Sequence, residues 1–148
     1  MSAVVQRFCG AGEEVINRVA AALLEQIPDR RIITFSGELG AGKTTLIKAL
    51  CKLLGMKEAV SSPTYALVNA YTTVSGMPVY HFDWYRIKDE QELLDIGIFE
   101  YLDGPGICLI EWPSMAAGLL EGESLLSVEI THEDGGRCYA IAATGHLQ

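Results

Sequence analysis

One stretch constrains this chain more than any other: Arg31-Ile-Ile-Thr-Phe-Ser-Gly-Glu-Leu-Gly-Ala-Gly-Lys-Thr-Thr-Leu-Ile-Lys-Ala-Leu50. Ile32, Ile33 and Phe35 form a short apolar run with the pattern of a buried strand. Leu46, Ile47, Leu50, Leu53 and Leu54 recur at helical spacing. Between them lies a glycine loop, Gly37 to Thr44, that fits G-x-x-x-x-G-K-[ST] at every fixed position. With glycine at about 7% of residues, such a match arises by chance in on the order of one chain in two hundred of this size.

The chemistry of the loop follows from its parts. Gly37, Gly40 and Gly42 permit backbone dihedrals that a Cβ would forbid. The loop N–H groups can then turn inward and cradle phosphate oxygens. The helix that begins near Lys43 adds the positive end of its dipole. Lys43 can reach β and γ phosphates, and Thr44 offers a hydroxyl to Mg²⁺. The dinucleotide fingerprint does not fit, because Thr45 stands where a third Gly or Ala belongs.

At 148 residues the chain is read as one domain, 1–148, large enough for a core without staples. A net charge of −8 argues against a broad basic footprint for nucleic acid. No run approaches the ~18 apolar residues of a membrane span, so no membrane partner is expected. Cys9, Cys51, Cys108 and Cys138 are widely spaced and form no C-x-x-C. Cys51 and Cys108 fall in apolar patterns and read as small core residues. No disulfide framework is expected, and a reducing cytosol fits.

In chain order, Val4–Phe8 reads as a strand and Gly10–Gly12 as a turn. Val15, Ile16, Val19, Ala22, Leu23 and Ile27 give one apolar helical face. After the loop helix, which closes at Gly55, come the hydroxyls Ser62 and Thr64 with Tyr65, around Pro63. A switch-like loop would lie there, and a surface turn is the plainer alternative. Ala66–Tyr71 and Val79–Asp83 flank a turn at Ser75-Gly76. Asp89 is placed to cap a helix. Ile107–Ile110 is wholly apolar, as in a strand buried on both faces. Leu125–Ile130 and Arg137–Ala143 bracket Asp134-Gly135-Gly136 as a terminal hairpin. The expected fold is α/β: three layers, with a mixed, mostly parallel sheet carrying antiparallel hairpin additions, as in P-loop NTPases.

A phosphate loop needs acids for its metal, at the carboxyl ends of neighbouring strands. Glu111 follows Ile107–Ile110 and has the form of a Walker B acid. Asp83 follows Val79–Phe82. Mg²⁺ uses one or two carboxylates plus phosphate oxygens, so both acids can serve one site. Taken alone, Glu111 could be a solvated strand end and Asp83 a partner for Arg86. Trp84 and Trp112 are each either core residues or neighbours of the site. His81 alternates with core residues, and a structural role is the expectation for it.

Five motifs, taken together in this order, resemble the TsaE family: Gly37 to Thr45, Ser62-Pro63-Thr64-Tyr65, His81-Phe82-Asp83 with Tyr85-Arg86, Glu92-Leu93 through Gly97-Ile98, and Glu111-Trp112-Pro113. The resemblance implies a small cytoplasmic ATPase. It would serve the synthesis of N6-threonylcarbamoyladenosine beside the anticodon of tRNAs that read codons starting with A. It implies a TsaB–TsaD complex as protein partner, reset by ATP hydrolysis between turnovers, with tRNA met only through that complex. Carried over by residue, Leu39, Gly40, Ala41, Gly42, Lys43, Thr44 and Thr45 would hold the phosphates. Thr44 and Glu111 would bind Mg²⁺, with Asp83 a second acid at the metal or the attacking water. Thr64 would belong to the switch-like loop, Trp112 would lie beside the site, and Gly136-Arg137 would lie near the nucleotide. Two departures stand out: Trp84 replaces a usual leucine, and Cys9-Gly10-Ala11-Gly12 replaces a more polar turn.

Lys43, Asp83 and Glu111 are therefore the candidate catalytic set, with Arg86 a candidate arginine finger in cis. A small-molecule kinase is a rival, but six arginines and no insertion long enough for a lid speak against it. A GTPase would need an Asn-Lys-x-Asp motif, which is missing. A nucleotide-gated binding module, in which occupancy matters and hydrolysis does not, remains open from sequence.

Overall fold

A computed structural model describes residues 2–27, 29–56 and 67–145. The strand–loop–helix unit forms as its pattern dictates. Strand β2 spans Ile32–Ser36, and the loop helix spans Lys43–Leu53. That helix buries Leu46, Ile47, Leu50 and Cys51 on one stripe and ends at Gly55, whose φ of 75° closes it in the left-handed region. An earlier helix, Glu13–Gln26, buries Val15, Ile16, Val19, Ala20, Ala22 and Leu23, with Glu13 and Glu14 in its first turn. These two helices, α1 and α2 in chain order, pack on the same face of one sheet.

The sheet has seven strands: β1 (Ser2–Gly10), β2, β3 (Val68–Thr72), β4 (Pro78–Asp83), β5 (Ile107–Glu111), β6 (Leu125–Glu133) and β7 (Gly136–Thr144). Their order across the sheet is β1-β7-β6-β2-β5-β4-β3. Alternation along each strand splits the core in two. Ile33, Phe35, Ile107, Leu109, Leu126 and Val128 face α1 and α2. Ile32, Phe82, Cys108, Ile110 and Leu125 face the other way. There they meet two short helices, α3 (Gln91–Asp95) and α4 (Ile98–Asp103), and a 3-10 segment, Pro113–Leu120. The molecule therefore has three layers. The N-cap of α3 is Glu90, one residue after the expected Asp89, whose Oδ1 accepts the Gln91 N–H at 3.0 Å.

Two expectations need correction. The sheet is less parallel than its sequence suggests: β6–β2, β2–β5 and β5–β4 pair parallel, whereas β1–β7, β7–β6 and β4–β3 pair antiparallel. The parallel pairings are contiguous and central. The second correction concerns the cysteines. Cys9 and Cys138 face each other in register across β1 and β7 and form a disulfide. A separation of 129 residues hides that pairing in the sequence. Cys51 and Cys108 are buried free thiols, as expected, and burial pushes both up to about 12.

Candidate functional site

Three parallel strands end together. In register, Phe35 of β2 lies opposite Glu111 of β5, and Glu111 lies opposite Asp83 of β4. Both acids therefore stand in one row at the carboxyl edge, beside the start of the glycine loop. The strand register brings together acids 28 residues apart in sequence (111 − 83).

The loop takes the backbone its glycines allow. Gly40 has φ 79° and Gly42 φ 104°, both in the left-handed region. Gly42 is the N-cap of α2 and carries no side-chain cap, and the first helical bond runs from Leu46 N–H to Gly42 O at 3.1 Å. A Cβ on Gly42 would lie 3.1 Å from Arg137 Nη1. Arg137 itself donates from Nη2 to Gly40 O at 3.3 Å. The start of β7 thereby touches the loop. Leu39 is 67% exposed at the loop tip, whereas Ala41 is buried.

Lys43 is folded back into the loop. Its Nζ donates to Gly37 O at 2.6 Å and Glu38 O at 3.0 Å, and it stands 4.2 Å from the centre of the Trp112 ring. Burial lowers the Lys43 ammonium from the usual lysine range, and the Glu111 and Asp83 carboxylates pull it partly back. Trp112 holds φ 61° and ψ 52°, a left-handed conformation rare for a non-glycine residue. Its N–H reaches Phe35 O at 3.2 Å, and its ring packs 4.7 Å from that of Tyr85. Trp112 is thus a neighbour of the site, whereas Trp84 is a fully buried core residue.

Thr44 Oγ1 donates to Glu111, 3.1 Å from Oε1 and 3.4 Å from Oε2. Asp83 Oδ1 accepts the Tyr85 N–H at 3.0 Å. Among the described residues, no group of three or more His, Cys, Asp and Glu is placed to hold a metal alone. A hydroxyl with one or two carboxylates, completed by phosphate oxygens and water, is the donor set Mg²⁺ takes.

Two clefts lie nearby, one at Arg137 and one against the loop itself. One, of about 490 Å³, lies between Gly10–Gly12 and the β6–β7 turn, with Arg137 in its wall. The other, of about 610 Å³, is lined by Glu38, Leu39, Tyr85, Trp112 and Glu129.

The model of the family described as threonylcarbamoyl adenosine biosynthesis protein TsaE matches residues 11–139. The chain belongs to the TsaE family. Among its relatives, the TsaE of Haemophilus influenzae is 38% identical over 131 residues, covering 88% of this chain and 82% of that one. The Bacillus subtilis TsaE is 38% identical over 115 residues, covering 78% and 71%. Both bear the name tRNA threonylcarbamoyladenosine biosynthesis protein. A crystal structure of YdiB from Bacillus subtilis superposes with a TM-score of 0.74 at 26% identity, covering 98% of this chain and 88% of that one.

Most residues expected from the TsaE resemblance meet at this edge: Gly37 to Thr45, Asp83, Glu111, Trp112 and Arg137. Ser62, Thr64 and Tyr65 lie outside the described residues. Arg86 is exposed in the turn after β4. One residue at the site was expected to be merely structural. His81 is fully buried, and its Nε2 lies 2.7 Å from Glu111 Oε2. A signal for it existed in the two-residue spacing of His81 and Asp83, which sets both on one face of β4.

Proposed function

We propose that this chain is a Mg²⁺-dependent ATP hydrolase with a P-loop NTPase fold, working in the cytoplasm in threonylcarbamoyladenosine synthesis on tRNA. The observation that carries the reading is the meeting of Lys43, Thr44, Asp83 and Glu111 at the carboxyl edge of three parallel strands, under a capless helix start. Loop N–H groups and Lys43 bind the β and γ phosphates, and the cleft beside Arg137, within the usual size of a small-molecule site, takes the nucleoside. Thr44 and Glu111 hold Mg²⁺, which when bound neutralises charge on the phosphate oxygens. Asp83 would be the second acid, serving the ion or the attacking water. Lys43 exchanges the Gly37 and Glu38 carbonyls for phosphate oxygens, and its charge stabilises the transition state.

By resemblance, the partner is the TsaB–TsaD complex, and hydrolysis resets it between turnovers, with tRNA engaged through the partner. The test is ATP turnover with and without purified TsaB–TsaD, for the parent, Lys43→Ala and Glu111→Ala. Turnover that rises with the partners and is lost in both variants supports the switch ATPase. ATP binding without hydrolysis in any mixture would leave a nucleotide-gated binding module as the better account.

A further inference from the structure

We propose that His81 is a positioning residue of the metal site: its Nε2–H holds the inner oxygen of Glu111, so that the outer oxygen faces Thr44 and the bound cation. The inference rests on the reading of Glu111 as a ligand of a nucleotide-bound divalent ion.

The geometry is specific. Val79, His81 and Asp83 share one face of β4, and Leu109 and Glu111 share the same face of β5. His81 pairs in register with Leu109, so Glu111 is its diagonal neighbour across the strands, within reach of a long side chain. The imidazole has no exposed surface and Glu111 is 4% exposed, so their 2.7 Å contact is shielded from water. A carboxylate only accepts hydrogen bonds, so the ring nitrogen that faces it must carry the proton. Among the described residues, His81 Nδ1 has no hydrogen-bond partner, which suits a bare nitrogen better than an N–H.

The consequence for Glu111 is a fixed division of labour. Oε2 is held by His81, and Oε1 is the oxygen nearer to Thr44. A rigid ring packed in the core cannot swing away as a solvent-exposed donor could. The carboxylate is also close enough to Lys43 to act on its charge. Anchored by His81, it stays at the metal position instead of closing onto the ammonium. Groups that orient a metal ligand commonly govern metal affinity as strongly as this.

The experiment measures binding of a fluorescent ADP analogue, with Mg²⁺ and with EDTA, for the parent, His81→Leu and His81→Gln. Leucine keeps much of the volume and removes the donor. Glutamine places an amide N–H near the Nε2 position. The expected result is a loss of about 10- to 100-fold in Mg²⁺-dependent affinity for His81→Leu, unchanged affinity in EDTA, and recovery of most of the loss in His81→Gln. An unchanged Mg²⁺ dependence in His81→Leu overturns the proposal, as does a glutamine variant that falls as far as leucine.

If His81→Leu fails to fold, the glutamine variant and the parent decide. A ¹⁵N spectrum of the histidine rings in the parent at neutral pH, with His81 assigned by its absence in His81→Gln, should show a proton on Nε2. A neutral ring protonated on Nδ1 overturns the clamp. A parent whose nucleotide affinity ignores Mg²⁺ would instead sink the underlying reading of the site, and the ring spectrum would still report on the hydrogen bond to Glu111.

Discussion

The strands on the two sides of β2 bring different things to the glycine loop. On one side, β5 and β4 stop in register with it, and their last residues are Glu111 and Asp83. On the other, β6 pairs with β2 only over Leu125–Glu129 and then runs on to Glu133 before β7 returns. That overhang contributes no acid to the row. It builds a wall, with His132, Asp134 and Gly135 lining the 490 Å³ cleft, and delivers Arg137 to the loop. Strand length relative to the neighbour thus decides whether a strand end places a carboxylate in that row or builds a wall.

The sharpest way to break this contrast is at the short strands. Glu111→Ala should lower ATP turnover by at least ~100-fold, the scale of losing a charge-stabilising group, while circular dichroism reports an intact fold. An equal loss from Asp134→Ala, on the overhang, would erase the distinction. Next in size is the packing that holds the short ends in register. Leu109 is fully buried in the middle of β5, and Leu109→Ala should cost ~2–5 kcal/mol in urea unfolding.

Gly42→Ala probes where the two sides meet. It places a Cβ at φ 104° and against Arg137, a backbone cost of roughly 1–2 kcal/mol. Nucleotide affinity, read by calorimetry, should fall together with thermal stability. The smallest effect belongs to the flank. Reducing the Cys9–Cys138 bridge should leave turnover unchanged, because the backbone ladder of β1 and β7 persists and Glu111 and Asp83 lie across the sheet. Thiol titration of the unreduced chain in denaturant should find two cysteines, Cys51 and Cys108, and four after reduction. In the native chain those two should react slowly, since burial holds both near 12 and leaves little thiolate at neutral pH.

What was legible in the sequence was local. Gly37 to Thr44 announces itself because backbone freedom, charge and hydroxyl must follow one another at fixed spacing. Glu111 was legible because Ile107–Ile110 is apolar on both faces and the acid closes the run. The terminal hairpin followed from Asp134-Gly135-Gly136. What failed was long-range. The partner of Cys9 depends on which strand lies beside β1, and no local pattern encodes that. The share of antiparallel pairing was underestimated for the same reason, since β1 joins the sheet through β7. His81 was assigned to the core because alternation tells which face a residue occupies but not what waits there. Burial was right, and its neighbour Glu111 came from another strand.

Trp112 extends the parallel pairing by one hydrogen bond to Phe35 and then turns away in the left-handed region, with the 3-10 segment starting at Pro113. The position of Glu111 is therefore fixed by the ladder behind it and not by the chain ahead. Changes between Pro113 and Leu120 that keep Ala116, Leu119 and Leu120 in the core should leave the carboxylate where it is. The freedom of that segment therefore lies in its exposed residues, Ser114, Met115, Ala117 and Gly118, which can change while the register of the acids is kept.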